Sequence, residues 1–270
     1  KVDENYFVYK TGKEQDVFVR DAYRNEFHGK VWPGDCAFPD FTRPETRTWW
    51  AGLYKDFLAN GIDGIWNDMN EPSVFDGPGG TMPVSNIHLG GGNLPTGTHL
   101  MYHNAYGRLM VEASYNGILA ANPDKRPFVL SRSNILGGQR YAAMWTGDNE
   151  ATYEQMKLSV PMSITLGLSG QPFNGPDIGG FAGNTTADLW GHWLGFGAFF
   201  PFSRGHASCD TNNKEPWAFT KDIERVTYCI RTTLSFDALY LYRFSYSSYR
   251  RTACYVPCLF RRSERSGTAC

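Results

Sequence analysis

The sequence has no uninterrupted apolar run approaching the roughly 20 residues that a membrane-spanning helix needs, so no membrane partner is expected. It also lacks a charge surplus: 26 Lys and Arg stand against 27 Asp and Glu, a formal net charge of −1. Without a basic excess there is no electrostatic footprint for nucleic acid, and the expected partner is neutral and polar. No charged-then-apolar leader opens the chain. Its first residues, Lys1-Val2-Asp3-Glu4-Asn5, are polar and include no initiating Met, so it reads as a cut fragment whose compartment is left open. Cysteine is sparse where it would matter, since four of the six (Cys229, Cys254, Cys258 and Cys270) crowd the end and only Cys36 and Cys209 lie in the body. That placement speaks against a disulfide framework. Cys254-x-x-x-Cys258 has no second Cys/His pair at ligand spacing, so neither a metal nor a cofactor is expected.

What the chain does contain is apolar and aromatic material: 41% hydrophobic and 15% aromatic residues suit a packed core and exclude disorder. Short alternations at Tyr6-Phe7-Val8-Tyr9 and Asp16-Val17-Phe18-Val19 predict brief strands or an irregular loop. Val31-Trp32-Pro33-Gly34 closes a strand-like piece. A helix is expected from Thr42, with Pro44 in its first turn, to Gly61, and Trp49, Leu53 and Phe57 recur every four residues as a face packed on a sheet. Residues 76–98, rich in Gly and Pro, read as a long loop without regular structure. A helix follows over about residues 99–121, with Tyr102, Tyr106, Met110 and Ala113 on one face; His99 and His103 lack the acid that would complete a metal set.

The chemistry sits where strands stop. Residues 62–66 form a short apolar run that ends abruptly in Asn67-Asp68-Met69-Asn70-Glu71-Pro72. Burying Asp68 beside Trp66 and Met69 costs several kcal/mol unless its charge is hydrogen-bonded or used, which marks a site; the alternative is a turn that caps the next helix. The design repeats. Phe128-Val129-Leu130-Ser131 ends at Arg132-Ser133, and Ala143-Met144-Trp145 runs into Gly147-Asp148-Asn149 before a helix carrying Met156, Leu158 and Val160. Residues 166–174 lead to Gly175-Pro176-Asp177-Ile178-Gly179-Gly180-Phe181. After a helix over residues 188–194, residues 195–202 read as a strand ending at Ser203-Arg204-Gly205-His206.

Strand, polar end, helix, next strand: this rhythm is that of βα units. Catalytic-type residues at the C-terminal ends of successive strands point to a (β/α)₈ TIM-type barrel. A doubly wound sheet would carry a glycine-rich phosphate turn after an early strand, and the glycine clusters here lead to Asp and Phe instead. The expected fold class is therefore α/β, with only the C-terminal part of the barrel (about strands 3/4 to 8) in residues 1–225. Two carboxylates on one rim can divide the roles of nucleophile and proton donor. Asp68 and Asp148, two βα units apart, are the candidates. Donors such as Arg132 would keep Asp68 charged, and shelter from Trp145 would help Asp148 hold its proton.

Trp66-Asn67-Asp68-Met69-Asn70-Glu71 resembles the nucleophile signature of glycoside hydrolase family 31. Val31-Trp32-Pro33-Gly34, Arg132-Ser133, Trp145-Thr146-Gly147-Asp148-Asn149, the 175–181 run and Arg204-Gly205-His206 resemble further motifs of that family, in its order. The resemblance implies a retaining exo-acting α-glucosidase that removes terminal α-linked glucose from oligosaccharides. It makes Asp68 the nucleophile and Asp148 the acid/base, with Glu71 supporting the nucleophile loop. By the same resemblance Trp32, Trp66, Met69, Trp145 and Phe181 wall the sugar pocket, while Arg132, Asp177, Arg204 and His206 bind the sugar. An α-xylosidase, an α-glucosyltransferase or a non-catalytic carbohydrate-binding fragment would use the same scaffold.

Two departures from the family stand out. Its β-domains before and after the barrel, and a sugar-binding Asp on an early barrel strand, are absent, so the isolated fragment is expected to be inactive. Residues 226–270 lose every 3.6 or 2 period and end in Cys, Ser and Arg clusters, which reads as a frameshifted or poorly ordered tail.

Overall fold

The computed structural model describes residues 1–219 together with Tyr228 and Arg231. Apart from those two residues, the atypical tail lies outside the described part of the chain. Two compact units are present, Lys1–Ala142 and Ala143–Cys270.

The first unit opens with helix α1 (Phe7–Glu14), where the sequence suggested strands or a loop. Four residues are too few to separate a period of 2 from one of 3.6, and packing decides. Tyr9 lies buried on the helix and stacks on Phe18 at 5.6 Å, and Phe18 meets the edge of Trp49 at 6.2 Å. Strands β1 (His28–Val31) and β2 (Gly34–Ala37) pair antiparallel. The expected strand end at Val31-Trp32-Pro33-Gly34 is thus a hairpin turn, closed by Gly34 at φ +96°, which an L side chain disfavours.

Helices α2 (Pro44–Gly52) and α3 (Tyr54–Leu58) replace the single expected helix, breaking at Leu53. Pro44 sits in the first turn, where its missing N–H is harmless. Because the helix breaks, the expected apolar stripe does not continue: Trp49 is buried, whereas Phe57 is 51% exposed.

Strand β3 (Ile65–Asn67) comes next, and the loop after it holds a small antiparallel ribbon, β4 (Ile87–His88) with β5 (Gly97–Thr98). Helix α4 (His99–Ala121) buries Tyr102, Tyr106 and Ala113 as the pattern indicated, and strand β6 (Val129–Ser131) pairs parallel with β3.

A buried chain of polar groups pins the ribbon to the body of this unit. Asp40 accepts hydrogen bonds from the Thr42 hydroxyl (2.5 Å) and the Leu89 amide (2.7 Å) and contacts His88 Nδ1 at 3.0 Å. His88 Nε2 lies 3.0 Å from His99 Nδ1, and all three side chains are wholly buried. Burial alone would raise the Asp40 pKa, but the bonds from His88, Thr42 and Leu89 outweigh it and hold the carboxylate below its usual range. With Asp40 ionised, Nδ1 of His88 is the donor to it, and a single proton lies between His88 Nε2 and His99 Nδ1. His99 Nε2 has no partner among the described residues. Burial, with His88 and His103 nearby, lowers the His99 pKa to about 3, so the ring is neutral.

In the second unit, strand β7 (Ala143–Trp145) pairs parallel with β8 (Asn174–Gly175). The connection between them is helix α5 (Tyr153–Leu168), whose first turn is capped by Thr152. Strands β9 (Asp177–Ile178) and β10 (Arg204–Gly205) pair parallel around helix α6 (Ala187–Gly197), capped by Thr186. Residues 195–202, expected as a strand, instead begin inside α6. Trp190, Trp193 and Gly197 continue a buried helical face, and a side chain at Gly197 would meet Ile178 at 2.9 Å. Both units therefore repeat parallel strands joined through helices, the arrangement that places strand C-termini together as a platform for chemistry. Among the described residues no helix is long and apolar enough to cross a membrane.

Candidate active site

In the first unit, parallel pairing carries the site. Ile65 pairs with Val129, Trp66 with Leu130 and Asn67 with Ser131. One step beyond the last pair, Asp68 and Arg132 leave their strands side by side, and Arg132 Nη1 lies 3.5 Å from Asp68 Oδ1. The burial pattern of β3 puts Ile65 and Asn67 inward and leaves Trp66 44% exposed. Trp66 is thus an available aromatic face, though not the buried neighbour of Asp68 that the sequence suggested.

Glu71 determines where Arg132 points. Arg132 Nε donates to Glu71 Oε1 at 2.8 Å and Nη2 to Oε2 at 3.0 Å, a bidentate clamp that only a planar guanidinium can make. The Arg132 Nη2 group also donates to Ser73 Oγ at 3.2 Å and contacts Met69 Sδ at 2.9 Å, while the Ser73 hydroxyl donates to Glu71 at 2.7 Å. Burial raises the Glu71 pKa, but the bonds from Arg132 and Ser73 prevail and leave it lowered. Arg132 is therefore gripped by an ionised Glu71 while facing Asp68.

The backbone at this point is strained. Met69 has φ +56°, a left-handed conformation that costs a non-glycine residue about 1–3 kcal/mol. Its amide donates to Asp68 Oδ1 at 2.8 Å, which fixes one carboxylate oxygen. Asn70 ties the turn to β6, donating to Ser131 Oγ at 2.9 Å and accepting from the Ser133 amide at 3.1 Å. A largely apolar cavity of about 370 Å³ borders Asp68, Met69 and Asn70, with Phe38, Trp50 and Tyr106 on its wall. Trp32 sits at the hairpin tip, 78% exposed, with its ring 4.8 Å from that of Phe75.

In the second unit, Asp148 follows β7 and is exposed, whereas Trp145 is 1% exposed. The shelter expected for Asp148 is therefore not provided by Trp145. Nor is Trp145 an open pocket wall, because the Arg204 guanidinium lies over its ring at 5.1 Å.

Asp177 is wholly buried. Arg204 donates to its Oδ1 through Nε (3.0 Å) and Nη2 (2.6 Å), and Asp177 Oδ2 has no hydrogen-bond partner among the described residues. Burial pushes the Asp177 pKa up to about 6, with the field of Asp148 adding to the rise and Arg204 and Lys214 opposing it. Asp177 has no exposed surface, whereas the side chain of Arg204, which holds it, is 18% exposed. Phe181 stacks on His206, ring centres 5.2 Å apart and planes 26° from parallel.

Sequence reasoning passed over two residues here. Asn149 accepts from the Phe181 amide through its backbone oxygen (2.8 Å) and its side chain (3.0 Å), and donates to the Asp177 carbonyl at 3.2 Å. Lys214, 6% exposed, donates to backbone carbonyls of the loop that carries Phe181. Asn149 was visible beside Asp148 as a polar residue in a motif. Lys214 gave no signal, since a Lys after Asn212-Asn213 reads as surface. Among the described residues no group of three or more His, Cys, Asp or Glu is arranged to hold a metal ion.

Parallel strands that carry carboxylates and arginines at their C-terminal ends define a barrel-type α/β scaffold. The model of the glycosyl hydrolases family 31 TIM-barrel domain matches residues 1–236, and the chain belongs to that family. It is 46% identical over 226 residues to alpha-glucosidase 2 of Bacillus thermoamyloliquefaciens, covering 84% of this chain and 28% of the relative. A solved family 31 alpha-glucosidase from Bacteroides thetaiotaomicron is 58% identical, with a TM-score of 0.73 over 86% of this chain and 37% of that one. The glucosidase II alpha subunit, solved bound to Glc1Man2, is 38% identical with a TM-score of 0.85 over 94% of this chain and 28% of that one. The chain thus spans 28–37% of the length of these relatives.

Proposed function

We propose that the whole protein is a retaining, exo-acting α-glucosidase and that this chain supplies its catalytic carboxylates. Asp68 attacks the anomeric carbon of a terminal α-linked glucose and forms a glycosyl ester. Asp148 gives its proton to the departing glycosidic oxygen, then takes one from the water that hydrolyses the ester, so the acid of the first step is the base of the second. Glu71 acts through Arg132 as a positioning residue. Trp66, Met69, Phe181 and His206 contact the sugar; Trp32 lies at the mouth, and Arg204 acts from beneath. Domains before and after the barrel complete the pocket, consistent with the share of the relatives that the chain spans.

The single observation that carries this reading is the Asp68–Arg132–Glu71 arrangement. It is a strand-end carboxylate facing a cation that a second carboxylate already neutralises, in a chain of family 31. A nucleophile needs that balance, since an ion pair of its own as tight as Glu71's would make it a poor attacking group. The test is Asp148→Ala in the whole protein. Hydrolysis of poorly activated glucosides should be lost, while substrates with good leaving groups keep forming the ester and azide restores turnover. Equal loss on every substrate would refute the acid/base role.

A further inference from the structure

We propose that Lys214 is a positioning residue of this active site, its buried ammonium holding loop 180–183 in the shape that sets the Phe181 ring against His206. The inference rests on the α-glucosidase reading, which places Phe181 and His206 at the sugar.

Lys214 Nζ donates to the Gly180 carbonyl at 2.6 Å and the Gly183 carbonyl at 2.9 Å, and reaches the Phe181 carbonyl at 3.5 Å. An ammonium has three protons, and three oxygens of one short loop converge on it. The loop needs an external hold. Gly179, Gly180 and Gly183 have φ of +85°, +85° and +76°, the loop makes one parallel bridge, Ala182 to Glu150, and glycine loses more conformational freedom on ordering than any other residue. A side chain on Gly180 would collide with the Ala151 backbone at 2.5 Å, so the loop cannot be stiffened by a larger residue there.

Its amide side is already fixed. Phe181 and Ala182 both donate to the Asn149 carbonyl, at 2.8 and 2.9 Å, one residue after Asp148. Lys214 grips the carbonyl side of the same peptides, most closely at Gly180, while the Phe181 oxygen also accepts from the Ser208 amide at 3.0 Å. The acid/base segment and the aromatic wall are thereby tied into one body, with Lys214 as the pin opposite Asn149. Burying an ammonium costs several kcal/mol unless its protons are taken up, and here the takers are carbonyls of the loop that carries the pocket residue.

The test compares Lys214→Met with Lys214→Arg in the whole protein, on an aryl α-glucoside. The Met variant should raise KM about tenfold, because a displaced wall weakens sugar binding, while Arg restores KM to within about threefold by donating to the same oxygens. A purely structural role would only reduce the amount of folded enzyme, lowering apparent kcat and leaving KM unchanged. An unchanged KM in the Met variant would therefore overturn the proposal. In a Phe181→Ala background the further effect of Lys214→Met on KM should vanish; full additivity would also overturn it. Should Lys214→Met fail to fold, Lys214→Gln takes its place.

A third arm needs no turnover. In the 270-residue chain, hydrogen exchange at the Phe181 and Ala182 amides should quicken at least about tenfold in the Met variant and not in the Arg variant. Unchanged exchange would refute the pin. A wild-type protein without glucosidase activity would instead refute the α-glucosidase reading, leaving this arm to decide the role of Lys214.

Discussion

Acid should unfasten the first unit at His99. In the folded protein this ring is wholly buried and titrates near 3, against 6.5 for an ordinary histidine. Because the folded pKa of this base is depressed, folding favours its neutral form. The contribution is fully present above pH 6.5 and is lost as pH falls from 6.5 towards 3. At about pH 4.5 the titration has run two units below the unfolded value, at about 1.4 kcal/mol per unit, so about 2.7 kcal/mol of stability should be gone. Asp40, whose pKa is lowered, is still ionised there, so the loss belongs to the histidine. His99→Gln removes the titrating group and keeps a polar side chain of similar reach. Urea unfolding of both proteins at about pH 7 and 4.5 should show the wild type losing about 2.7 kcal/mol more than the variant over that interval. Parallel pH dependence in the two proteins would refute the buried, neutral His99 and the hydrogen-bonded chain built on it.

Gly179→Ala should destabilise the second unit by about 2–4 kcal/mol, since the new Cβ would lie 2.5 Å from the Trp190 ring at a φ of +85°; thermal unfolding reads this directly, and an unshifted midpoint would contradict the packing. Glu71→Gln keeps the shape of the clamp and removes its charge, so Arg132 is released towards Asp68. In the whole protein kcat/KM should fall at least about tenfold, and wild-type turnover would show that Glu71 does not control the arginine.

How far the chain could be read beforehand depended on the range of the forces involved. Helix α4 was legible because 23 residues sustain one period, and residues 65–67 because an apolar run changes abruptly to carboxylates and amides. Helix α1 was misread because its identity is set by stacking of Tyr9 on Phe18, which local alternation does not reveal. The continuation of α6 into residues 195–197 hid behind two glycines that look like breakers, of which Gly197 serves close packing against Ile178. At the site, Asp68, Asp148 and Arg132 announced themselves by type and position. Their surroundings did not: Glu71 meets Arg132 across 61 positions, and Lys214 meets Gly180 across 34. Such pairings arise only when strands align, and burial then reverses the usual meaning of a residue, as with a largely buried Lys214 and an Asp177 cut off from solvent.

The double hold of Glu71 on Arg132 bears on what happens between half-reactions. In the mechanism proposed above, esterification of Asp68 removes its negative charge, and a guanidinium anchored by that charge alone would swing away and have to be recaptured before the next cycle. Here the guanidinium keeps two bonds to Glu71 whatever the state of Asp68. On that proposal the cation is expected to wait in place while the ester is cleaved, and the pocket to regain its starting electrostatics without any side chain having to travel.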